Sequence, residues 1–67
     1  MKNGIRSITI ISQTENFEFI EGIDDVYKII DRTVETESGI TTIYDIEDYH
    51  GKIYKRIENC PVLIKYW

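Results

Sequence analysis

Ile23-Asp24-Asp25-Val26-Tyr27-Lys28-Ile29-Ile30-Asp31-Arg32-Thr33-Val34-Glu35-Thr36 is the stretch on which the fold turns. Ile23, Val26, Tyr27, Ile30 and Val34 recur at helical spacing, Asp24 or Asp25 stands where an N-cap would, and Gly39 follows. A helix over 23–34 packed on a sheet is therefore one reading. Against it, Ile23, Val26, Ile29, Ile30, Thr33, Val34 and Thr36 are β-branched, and restricted χ1 freedom makes each a weak helix former. Thr33 to Glu37, then Ser38-Gly39, then Ile40-Thr41-Thr42 also resemble two strand arms around a tight turn. The balance favours strand from Val26 onward. A short turn of helix near Asp24 followed by strand from Ile29 is the compromise.

The rest of the chain supports strands. Of 28 hydrophobic residues, 14 are Ile and 5 are Tyr, whereas Leu and Met occur once each and Ala is absent. Ile, Val, Thr and Tyr suit a half-buried pleated surface, and the missing types are the better helix formers. The same bias is what an AT-rich genome produces, including many phages and plasmids.

Outward from the deciding stretch, Ile5 to Ser12 reads as a strand, Gln13 to Asn16 as a turn, and Phe17-Glu18-Phe19-Ile20 as a second strand with both phenylalanines on one face. Downstream, Ile40, Thr42, Tyr44 and Ile46 alternate with Thr41, Ile43, Asp45 and Glu47. Asp48 to Lys52 is a turn, with Gly51 where positive φ is needed. Ile53, Lys55 and Ile57 then alternate with Tyr54, Arg56 and Glu58. A two-residue loop at His50-Gly51 would set Ile57 opposite Tyr44 and Arg56 opposite Asp45. Pro61 breaks the ladder, and Val62 to Trp67 forms the last strand. The expected fold is mainly β: a small antiparallel meander sheet or barrel of about five strands.

Sixty-seven residues make one domain, 1–67, too short to bury a large core. Cys60 is the only cysteine, so no disulfide forms within the chain. With His50 the sole histidine, a structural zinc site lacks ligands, and no metal or cofactor is expected. Oligomerisation is the stabilising device left, so a homodimer or larger assembly is expected. The lone thiol points to a reducing compartment, and neither a signal peptide nor a membrane span appears, giving a cytoplasmic expectation.

Net charge is −4, unevenly spread: residues 1–14 carry +2, 15–48 carry −9 and 49–67 carry +3. Opposite charges on neighbouring strands are most simply cross-strand pairs. An acidic balance disfavours nucleic acid, which needs a positive track.

Catalysis finds no support. A Cys60/His50 pair would need a third orienting group and an oxyanion site, and the acids near the turns are most simply solvated. What stands out is aromatic side chains with a polar handle, enriched in interfaces. Tyr44, Tyr49, His50, Lys52, Tyr54, Arg56, Tyr66 and Trp67 are the candidate binding residues. The leading expectation is a small non-enzymatic protein-binding protein, such as an inhibitor or accessory factor from a phage or other mobile element. The alternative is an oligomer that sequesters a small ligand or nucleotide in pockets between subunits. A single-stranded nucleic-acid binder comes third.

Overall fold

A computed structural model describes residues 4–67 as six strands in two three-stranded antiparallel sheets. The strands are β1 (Ile5–Ile11), β2 (Asn16–Ile20), β3 (Lys28–Thr36), β4 (Gly39–Glu47), β5 (Ile53–Ile57) and β6 (Val62–Tyr66). One sheet has the order β2-β1-β6, the other β3-β4-β5. The fold is thus mainly β, with six strands rather than about five. No barrel closes, because no ladder joins the two sheets. None of the described residues is helical, and so none forms a helix long and apolar enough to cross a membrane.

The deciding stretch divides at Lys28. Before it, Gly22 (φ 87°) and Asp24 (φ 55°) take left-handed backbone, which ends any helical run. The amides of Gly22, Ile23 and Val26 are satisfied by turn bonds to Val26, Ile20 and Ile23. Tyr27 then donates to the Glu47 carbonyl at 2.9 Å, and the β3–β4 ladder runs from Lys28↔Glu47 to Thr36↔Gly39. The helix over 23–34 does not form. Its apolar stripe fails as a common face: Val26 is buried, while Ile23 and Tyr27 are exposed. The short helical turn near Asp24 is absent too, replaced by these bends.

Turn chemistry sets each hairpin. The Ser12 hydroxyl donates to the Glu15 carbonyl and accepts from the Glu15 amide, closing the β1–β2 turn. Thr36 Oγ1 donates to the Gly39 carbonyl and accepts from Ser38, leaving Glu37-Ser38 as the tip of β3–β4. At the β4–β5 turn, Gly51 donates to the Asp48 carbonyl with φ 79°, and Asp48 Oδ1 accepts from the amides of His50 and Lys52. That loop holds three residues, Tyr49 to Gly51, because Asp48 pairs with Lys52. The two-residue loop is therefore corrected, yet Tyr44↔Ile57 and Asp45↔Arg56 stand opposite as expected.

A bulge reconciles the two. Glu47 pairs with Ile53 and Ile46 with Lys55, so Tyr54 is the extra residue. This breaks the expected alternation of Ile53 and Lys55 with Tyr54. A second bulge leaves Arg6 extra between Ile5↔Tyr66 and Ser7↔Lys65. Ile5 and Ile8, three apart, would face opposite ways in a regular strand, and this bulge lets both enter the core.

The core lies between the sheets and is nearly all isoleucine. Ile5 and Ile8 from β1 meet Ile29, Ile46 and Ile57 from the other sheet, with Val26 from the connection. Phe19, Tyr44 and Ile64 pack around them, half-buried. Among the described residues, Ile8 and Ile46 are the largest fully enclosed side chains.

Candidate functional site

The eight candidate binding residues do not converge. Tyr49 and His50 sit exposed on the β4–β5 turn beside Lys52, and the Tyr49 ring lies 5.2 Å from that of Tyr27. Tyr44 is half-buried at the core margin. Burial, and then the neighbouring charges of Tyr66 and Asp31, push its phenol above the ordinary tyrosine range. Tyr66 itself lines a shallow cleft of about 260 Å³ with Ile5, Lys28, Ile29 and Asp31. Trp67 is pinned elsewhere: its amide donates to Gly4, and the Arg6 guanidinium lies 5.5 Å from its ring centroid.

Tyr54 and Arg56 mark the two better-built places. Tyr54, turned by the bulge, meets Phe19 edge-on with ring centroids 6.3 Å apart. Together with Ile10, Phe17 and Lys55 they line a cleft of about 470 Å³ where β2 faces β5 across the sandwich. β2 and β5 are both edge strands, so each offers an unpaired row of backbone groups beside this cleft. Phe17 and Tyr54 remain about half exposed, at 49% and 52%. Phe17 and Phe19 are absent from the candidates taken from sequence. Their alternation was visible, but a pair of phenylalanines on one face reads first as core.

Arg56 belongs to the opposite face of the β3-β4-β5 sheet. Its Nε donates to Asp45 Oδ1 at 2.8 Å, while Arg32 Nε donates to Asp45 Oδ2 at 3.0 Å. Asp45 is only 7% exposed, as is Ile43 two residues before it on the same face of β4. The hydrogen bond from Arg56, reinforced by Arg32, holds the Asp45 carboxyl below the usual carboxylate range despite its burial. The sequence paired Arg56 with Asp45, and Arg32 is the partner it missed. Arg32 stands directly opposite Ile43 and reaches Asp45 on the diagonal, which only the register of β3 reveals.

The remaining reactive side chains are apart. His50 is on the β4–β5 turn, and Cys60 is exposed in the β5–β6 connection. Asp48, Asp45 and Glu47 do not form one acidic pocket: Asp45 is held by two arginines, and Asp48 closes its turn. The amides of Lys52 and His50 lower the Asp48 pKa. Among the described residues, no three His, Cys, Asp or Glu side chains gather as metal ligands.

Fold and surface together define a class: a small open two-sheet β-sandwich with an aromatic-lined side and an arginine-bearing face. Compared with known proteins, the chain matches no family model, no curated protein and no solved structure.

Proposed function

We propose that this chain is a non-enzymatic binding protein whose working unit is a homodimer, joined through the side where β2 and β5 lie open. The carrying observation is the cleft of Ile10, Phe17, Phe19, Tyr54 and Lys55, flanked by two unpaired strand edges. A dyad beside it sets β2 of each copy against β5 of the other, extending both sheets and enclosing the aromatics. Charge supports this pairing: β2 carries Glu18 with Glu15 and Glu21 at its ends, whereas β5 carries Lys55 after Lys52, its Arg56 being held by Asp45 on the outer face. Surface area supports it as well. The chain exposes 5226 Å², against about 4,400 Å² for a compact monomer of its mass. The excess is of the order that one partner contributes to a standard interface, about 800 Å².

In this reading the dimer acts by covering part of another protein, as an inhibitor or accessory factor does. Eleven large hydrophobic side chains stand exposed among the described residues, against seven that are buried. Tyr27 and Tyr49, exposed and in tilted ring contact at the β4–β5 turn, are a part that remains for a target.

Light scattering on the purified chain at micromolar concentration should give twice 7.9 kDa. Phe17→Ser with Tyr54→Ser should return it to monomer without loss of its strand spectrum. Glu18→Lys or Lys55→Glu alone should weaken the dimer, and the two together should restore it. A monomer throughout sinks the dimer. The cleft's volume lies in the range of small-ligand sites, so a monomer carrying a bound metabolite in native mass spectrometry would favour the sequestering alternative.

A further inference from the structure

The Arg32–Asp45–Arg56 group lies on the outer face of the β3-β4-β5 sheet, opposite the core, with Arg56 on the same strand as the proposed dimer edge. Each guanidinium spends only its Nε–H on Asp45. The terminal Nη groups of both arginines donate to no protein oxygen among the described residues. The two side chains are 40% and 44% exposed, and the carboxylate between them only 9%. Both oxygens of one buried carboxylate are thus occupied from two sides. This holds the two Nε atoms 3.0 and 2.8 Å from the two oxygens of one carboxylate, with both guanidinium side chains still partly open to solvent. Ile43, buried beside Asp45 on the same face of β4, stands opposite Arg32. The charge of Glu58 reaches Arg56 but makes no hydrogen bond with it.

We infer that this face of β3-β4-β5 binds a phosphoryl group between the Nη edges of Arg32 and Arg56. The triad carries one net positive charge and donors from two planar forks. A carboxylate would occupy one fork, whereas a phosphate's three oxygens and near-double charge engage both. Asp45 is the positioning residue: it holds the forks in place and touches no ligand. Free phosphate and the phosphate of a nucleotide present the same chemistry here.

The test is a titration of the isotope-labelled chain with inorganic phosphate and with a nucleoside monophosphate, following the arginine Nε–H signals by NMR. The signals of Arg32 and Arg56 should move and saturate, while that of Arg6 stays. Arg32→Gln and Arg56→Gln should each weaken binding about tenfold or more, the loss of charge-assisted hydrogen bonds. Asp45→Asn separates two explanations, because it makes the face more positive. Diffuse attraction predicts tighter binding, and positioning predicts weaker binding. If Asp45→Asn fails to fold, the two glutamine variants, checked by their dispersed spectra, carry the test. A nucleoside monophosphate binding more tightly than phosphate identifies a nucleotide source, and equal affinity identifies phosphate itself. No shift with either at millimolar concentration, or an equal shift at Arg6, overturns the site.

Discussion

The two sheets are built from the same kinds of residue but by different routes. The β3-β4-β5 sheet is a run of consecutive hairpins, so each strand pairs with the next one in sequence. The β2-β1-β6 sheet places β1 between its own hairpin partner and a strand more than fifty residues away, joining Ile8 to Ile64 and Ile10 to Val62. The outer faces of their central strands differ too, β1 burying the small Ser7 there and β4 the charged Asp45. β4 is covered on both faces, by the core at Ile46 and by Arg32 and Arg56 above Asp45. The lesson is that the local sheet carries its own polar reinforcement, while the non-local one depends on the shared isoleucine core. Loop-closure entropy must be met before β6 returns any stabilisation.

The sharpest way to break this comparison is at the two largest fully enclosed side chains. Ile8→Ala and Ile46→Ala should each cost about 3 kcal/mol through lost burial and a cavity, a large share of any domain this small. If the core is shared, far-UV circular dichroism and the fluorescence of Trp67, next to β6, should lose structure together in urea for either variant. An Ile8→Ala protein that loses the Trp67 signal first while keeping hairpin structure would show that the β3-β4-β5 sheet stands alone.

Asp45→Asn comes next, at about 2 kcal/mol, since it leaves two guanidinium donors without their carboxylate. The sign with pH follows from the lowered Asp45 pKa. Its contribution is complete above the unfolded carboxylate value, about 3.9, and is lost as pH falls through the lower folded value. Acid titration of stability should therefore be shallower in Asp45→Asn than in the parent. It should not become flat, because the Asp48 pKa is lowered too.

Gly51→Ala should cost about 1 kcal/mol, because its φ of 79° is unfavourable for a Cβ although no atom lies near enough to clash. Thermal melting checks it, and the effect should fall on the β4–β5 hairpin alone in hydrogen exchange. The smallest effect belongs to the other sheet. Arg6→Gln should cost about 0.5 kcal/mol by removing the cation from the Trp67 ring, read from denaturant midpoints.

Sequence by itself determined the strand character, the hairpin from β4 to β5, and the positive φ at Gly51. Each follows from side-chain period, β-branching or turn chemistry, properties that act within a few neighbouring residues. It left Ile23–Thr36 divided, because apolar residues at helical spacing also occur along a strand preceded by a bend. Tertiary structure alone decided the rest: the return of β6 to β1, the two bulges, the second arginine on Asp45 and the cleft between β2 and β5. Those features arise where segments far apart in the chain meet, and the shift of face at Arg6 and Tyr54 has no trace in a regular alternation. The same reason explains the scattered candidate residues. Tyrosines were chosen by type, whereas Phe17, Phe19 and Arg32 earn their places only from what the fold sets beside them.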